Sequence, residues 1–190
     1  MSLFRRNPRS ATIEAVYGAI VAQARAPVFY RGYGVPDTVN GRLDLLMLHL
    51  ALVFERLSQG PQEVRAVGQA AFDRFCQDMD DHLREDGVGD LKVPKDVRKV
   101  ASAFFGRHGA YIGALKAGDS RALEDALRRN VFGEQSADDA TVARLTLYTR
   151  RAMKNLASQD LDTLMAGQVA WPDPETISVT ASILNGEYAP

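Results

Sequence analysis

Residues 86–115 read DGVGDLKVPKDVRKVASAFFGRHGAYIGAL. A short glycine-bounded loop leads into a proline, a basic turn and a long apolar stripe. Spacing of i, i+3 and i+4 puts Val97, Val100, Ala101, Phe104, Phe105, His108, Ile112 and Leu115 on one face of a helix. Pro94 suits the first turn, where its missing N–H costs nothing. Lys92, Lys95, Arg98 and Lys99 then fall on or beside the opposite face. Positive charge at a helix start works against the helix dipole. That small cost leaves two readings: an ordinary solvated face, or a surface kept for a partner.

Upstream, Gly60 closes one helix and Pro61 opens the next, whose core face is Val64, Val67, Ala71, Phe72, Phe75, Met79 and Leu83. The far end of that helix is acidic. Asp78, Asp81, His82 and Glu85 share one face at i, i+3, i+4 and i+7. The spacing would suit a metal, but carboxylate metal sites in bundles draw matching Glu-x-x-His ligands from a second helix. No such motif accompanies His49 or His108, and no metal is expected. An acidic helix end also opposes the dipole. Its simplest expected partner is the basic start of the next helix, just across the DGVGD loop.

Nearer the N-terminus, Ser10 is the expected N-cap of a helix with the stripe Ile13, Val16, Tyr17, Ile20 and Val21, ending before Pro27. The stretch APVFYRGYGVPDTVNG has two prolines and three glycines, which exclude a long regular element; its aromatics are expected to pack inward, presentation to a partner being the second reading. The helix from about Arg42 to Ser58 is apolar almost all round, the mark of a central element. Arg42, His49 and Arg56 form one narrow polar stripe, and Asp44 and Glu55 lie nearly opposite. His49 is expected to be buried with a satisfied hydrogen bond or to line a polar seam, a functional role being the second reading.

Downstream, Asp119 is the expected N-cap of SRALEDALRRNVF, which Gly133 ends. Ser136 or Asp138 starts a helix carrying Val142, Leu145, Thr149, Ala152, Met153 and Leu156, and Asp160 to Ala166 reads as one more short helix. From Gly167 the periodicity stops. WPDPETISVTASILNGEYAP has three prolines and a weakly alternating TISVT, read as an irregular arm that lies on the body through Trp171 or is partly disordered. The expected architecture is a single-domain, all-α bundle of about six to seven helices over residues 1–166, with an irregular C-terminal arm over 167–190.

Composition narrows the class. The 190 residues suffice for one domain with a real core; 46% are hydrophobic and 25% charged, ordinary for a soluble globular protein. A formal net charge of -1 gives no pointer to nucleic acid, and no DNA partner is expected. The lone cysteine, Cys76, has no disulfide partner and reads as a small buried hydrophobe. The first residues lack an apolar signal core, and no run of about 18 apolar residues marks a membrane span. No phosphate loop, dinucleotide fingerprint or usual zinc spacing occurs. The residues favour an interaction protein over an enzyme.

At this point the chain resembles the ubiquinol–cytochrome c chaperone family. VPDTVNGRLDLLMLHLALVFERL is similar to the family's proline–aspartate–threonine step and the helix after it. DGVGDLKVPKDVRKVASAFFGRHGAYIGAL resembles its most recognisable block through the Val-Pro-Lys step, the pair Gly106 and Arg107, and Tyr111 and Leu115. ALEDALRRNVFG, with Arg129 and Asn130, looks like a third block. Together they cover about Val28 to Leu156. The resemblance implies an all-helical fold, no catalysis and no cofactor. It implies binding of newly made cytochrome b near the ribosome exit or the membrane face during assembly of ubiquinol–cytochrome c reductase. Without a targeting presequence, the chain looks like a bacterial cytoplasmic member, soluble or peripheral at the inner face of the membrane. Mitochondrial relatives work with a small second assembly factor.

The protein-contact residues expected on this reading are an acidic rim of Asp78, Asp81 and Glu85, and a basic patch of Lys92, Lys95, Arg98 and Lys99. Arg107 and Tyr111 are expected to tie their helix to a neighbour, with client contact as the lesser role. Two other classes remain: an all-helical enzyme or small-ligand protein with a core pocket near His49, His82 or His108, and an adaptor for a different membrane-protein client.

Overall fold

The computed structural model describes residues 8–133 and 137–180. In chain order its helices are α1 (Pro8–Ala24), α2 (Pro27–Arg31), α3 (Val39–Ser58), α4 (Gln62–Glu85), α5 (Val93–Ala117), α6 (Ser120–Leu127), α7 (Asp139–Ser158) and α8 (Leu161–Met165). A π turn, Arg128–Phe132, extends α6, and a 3-10 turn, Pro174–Thr176, lies in the C-terminal segment. No strand forms among the described residues.

α3 is central because its sequence leaves it no face to show water. Leu45, Leu48, Leu50, Ala51 and Leu52 are all 0% exposed. The helix packs on α1, α4, α5 and α7 at once. Its start is fixed by Thr38, whose hydroxyl accepts from the Gly41 N–H at 3.1 Å. Gly41 itself is obligatory, since a Cβ there would sit 2.1 Å from the Pro36 carbonyl oxygen. α4 and α5 form a long hairpin against it, and their aromatics interlock. Phe72 lies 4.9 Å from Phe104 and Phe75 6.2 Å from Phe104, centroid to centroid.

Side-chain caps set most of the remaining boundaries. Asp119, Asp138 and Asp160 each accept N–H bonds at the starts of α6, α7 and α8. Gly118 ends α5 in the left-handed region at φ 67. Some expectations are corrected. Ser10 lies inside α1, which starts at Pro8, so it is not the N-cap. α3 begins at Val39 rather than Arg42 because Thr38 supplies the cap. The aromatic loop holds a one-turn helix, α2, opened by Pro27. Ser136 and residues 181–190 lie outside the described residues.

The segment after Gly167 is tied down with little regular structure beyond the 3-10 turn. Gln159 brackets Ala170, its amide N–H meeting the carbonyl and its oxygen meeting the N–H, both at 2.9 Å. The Tyr33 hydroxyl donates to the Pro174 carbonyl at 2.7 Å, Arg144 Nε donates to the Ile177 carbonyl at 3.1 Å, and Ile177 is 3% exposed. Trp171 meets the His49 ring edge-on at 5.0 Å. Among the described residues no helix is long and apolar enough to cross a membrane.

Candidate functional site

The two polar stripes of α3 turn out to face two different neighbours. On the α7 side, His49 is fully buried. Its Nδ1 is 2.8 Å from the Leu45 carbonyl, which can only accept, so Nδ1 carries the proton. Nε2 is then the acceptor for the Tyr148 hydroxyl, also at 2.8 Å. The same hydroxyl oxygen accepts from Gln23 on α1 at 2.9 Å. The relay Gln23 to Tyr148 to His49 to Leu45 is complete with a neutral imidazole and has no place for a second ring proton. Burial pushes the imidazole down to about 4, the Leu45 bond opposing it. Seven residues on, Arg56 continues the stripe, donating to the carbonyls of Leu156 and Gln159 at 2.8 Å each.

On the α5 side the partners are charges. Asp44 accepts from Arg107 at 2.7 Å, and the same guanidinium reaches the Met47 sulfur at 3.2 Å. Burial nevertheless pushes the Asp44 carboxyl up to about 6, because desolvation outweighs the pull of Arg107. Glu55, 5% exposed, meets Lys116 at 2.6 Å and His108 at 3.4 Å. Burial pushes that carboxyl up, but bonds from Lys116 and Gln59 and the nearby His108 outweigh it and hold it below the usual range. His108 is itself pushed down by burial, with Glu55 restoring part of the loss. Arg107 thus ties α5 to α3 as expected, and Tyr111 is fully buried beside it.

Apart from Arg107 and Tyr111, the sequence-predicted contact residues gather at the loop end of the α4–α5 hairpin. Asp81, Glu85, Lys92, Lys95, Arg98 and Lys99 are exposed, and Asp78 is partly so. The expected pairing of the acidic end with the basic start across the loop does not form. Each helix settles its own charges: Arg74 pairs with Asp78 and Arg84 with Asp80 on α4, while Lys92 and Lys99 pair with Asp96 on α5 at 3.8 and 2.9 Å. The link that crosses the loop runs from Arg84 to Asp90. Helical i, i+3 and i, i+4 spacing makes the local pairs geometrically easier than the cross-loop ones. Among the described residues no group of three or more His, Cys, Asp or Glu comes together in metal-binding geometry. The three histidines stand apart in character: His49 sealed, His108 against Glu55, His82 exposed.

Periodicity also misjudged one edge of α5. Phe105 falls on the periodic core stripe but is 48% exposed, its ring resting on Phe72 at 4.9 Å and Phe54 at 6.3 Å. Beside it Gly106, Gly109 and Gly113 face open space, where an added Cβ would meet nothing within 4 Å. A glycine inside a helix costs about 1 kcal/mol relative to alanine, and internal packing requires none of these three. The signal was legible, since Phe105, Gly109 and Gly113 repeat every four residues.

Residues 31–171 match the family described as Ubiquinol-cytochrome C chaperone. Among solved structures, the crystal structure of the Cbp3 homolog from Brucella abortus is similar at TM-score 0.82 and 36% identity, covering 90% of this chain and 94% of that one. Among curated proteins none matches.

Proposed function

The chain belongs to the ubiquinol–cytochrome c chaperone family, and from that premise we propose that it is a non-enzymatic assembly chaperone for ubiquinol–cytochrome c reductase whose client is newly made cytochrome b. The observation that carries this reading is the family match, which runs from Arg31 at the end of α2 through α3 to α8 and on to Trp171. The site geometry is in keeping with it. In the interior, His49, Tyr148 and Gln23 bond one another and Asp44 and Glu55 hold cations, while the exposed end of the α4–α5 hairpin carries both signs of charge. An emerging membrane protein presents apolar helices flanked by basic loops, and Asp78, Asp81 and Glu85 offer such loops an acidic rim. Lys92, Lys95, Arg98 and Lys99 are suited to anionic groups, phosphate at the ribosome exit among them. Arg107 and Tyr111 hold α5 in position. The protein acts in the cytoplasm, soluble or peripheral at the inner face of the membrane.

The test is complementation in a respiring bacterium lacking this gene. Wild-type protein should restore the cytochrome b difference spectrum and reductase activity of membranes. Asp78→Lys, Asp81→Lys and Glu85→Lys together should restore much less, with unchanged helicity in the purified variant. Full restoration by the triple variant removes the acidic rim from the account. Normal reductase in the deletion strain removes the assembly role.

A further inference from the structure

We propose that the outer face of α5, from Lys95 to Gly113, is a docking strip for an α-helix of a partner protein, one with a bulky apolar stripe and carboxylates at one end. The inference uses the surface of this chain alone and holds whichever client the protein serves. At 100° per residue, Lys95, Arg98, Lys99, Ser102, Phe105, Gly106, Gly109 and Gly113 fall within an arc of about 120°. All are exposed. The first part of the arc is basic. The rest, from Ser102 to Gly113, carries no exposed charge on any α5 residue. Ordinary solvated helix faces are charged.

Two features say what covers it. Phe105 is a half-exposed aromatic held from below by Phe54, Phe72 and Phe104, a pre-set anchor rather than a loose side chain. Gly106, Gly109 and Gly113 leave a smooth channel beside it in which a second backbone can approach closely, as in small-xxx-small helix pairs. A helix supplies the branched side chains that fill such notches, and acidic residues at its end meet Lys95, Arg98 and Lys99. A membrane fits less well. Glycine offers lipid almost no apolar area, and a flat anionic surface reaching the basic turn would also meet exposed Glu85, Asp86 and Asp90 at the hairpin tip.

The experiment measures binding of labelled helical peptides about 20 residues long, enough to span ~30 Å, to the full chain. One peptide carries a leucine stripe and glutamates in a terminal turn; its control carries lysines there. The acidic peptide should bind at least tenfold tighter than the control, and more weakly as salt rises. Gly109→Leu, which fills the channel, should weaken it at least tenfold. Gly109→Ala with Gly113→Ala should weaken binding while raising Tm by about 2–4 °C per site, because alanine favours the helix. Lys95→Glu, Arg98→Glu and Lys99→Glu should reverse the preference between the peptides. Equal binding of both peptides, binding of neither, or affinity untouched by the glycine substitutions overturns the proposal. So does binding to phosphatidylglycerol vesicles in place of the peptide, or self-association of the chain through this face.

Discussion

α3 has two polar seams, and they solve the same burial problem in opposite ways. Toward α7, His49 and Arg56 meet a hydroxyl and backbone carbonyls. Toward α5, Asp44 and Glu55 meet Arg107, Lys116 and His108. The first seam keeps its ring neutral, with both ring nitrogens of His49 bonded inside the protein. The second keeps charges that must pay for leaving water, and Asp44 shows the strain of that: even with a guanidinium at 2.7 Å, its carboxyl is raised to about 6. The difference teaches that a polar residue in a greasy helix is read by its neighbour. Sequence spacing says which residues share a face, and the facing helix decides whether they are neutral or charged.

Removing the neutral relay should cost most. His49→Ala leaves a cavity and a Tyr148 O–H without its acceptor in a site of zero exposure, and should lower unfolding free energy by about 3–4 kcal/mol in urea titration. A loss under about 1 kcal/mol would mean that the seam is wet or loosely packed.

Acid titration sharpens the contrast because His49 and Asp44 respond with opposite sign. His49 has a folded value of about 4 against an ordinary 6.5, so the unfolded chain takes the proton first. Its contribution is fully present above 6.5 and is lost as pH falls toward 4, about 3 kcal/mol in all. Asp44 is raised from 3.8 to about 6, so the folded state holds its proton more tightly. Its contribution is present below 3.8 and is lost as pH rises toward 6. Asp44→Asn should therefore steepen the fall in stability from pH 6 to 4, whereas His49→Gln should flatten or reverse it. Parallel curves for the two variants would break the comparison.

Cutting the charged seam comes next. Arg107→Met leaves Asp44 without its cation and should destabilise by about 1–3 kcal/mol, less than a fully buried pair because both side chains keep some exposure. NMR titration should find the Asp44 carboxyl higher still. The smallest effect belongs to the hairpin tip. Lys99→Ala breaks an exposed pair with Asp96 and should leave Tm unchanged within error.

The helices were legible because their signals are local. Pro94 in the first turn of α5, Asp119 as a cap and Gly133 as a stop all act within a few residues of their own position. Even the two stripes of α3 could be read, since Asp44 and Glu55 are three turns apart. Their partners could not. His49 and Tyr148 are 99 residues apart, and Arg107 and Asp44 63 apart, so nothing in local spacing connects them. The π turn at Arg128–Phe132 escaped for a related reason: α6 and the turn share one apolar pattern, and only the backbone shows the extra residue. At the hairpin tip, the expected ion pairs across the loop do not form, because i, i+4 partners on the same helix outcompete them.

The most direct test is to tag the protein in a bacterium that makes ubiquinol–cytochrome c reductase, pulse-label, crosslink and purify under denaturing conditions. The account predicts newly made cytochrome b as the principal labelled species, with crosslinks at the exposed residues of α4 and α5. Recovery of other membrane proteins without cytochrome b, or crosslinks confined to α1 and α7, would contradict it.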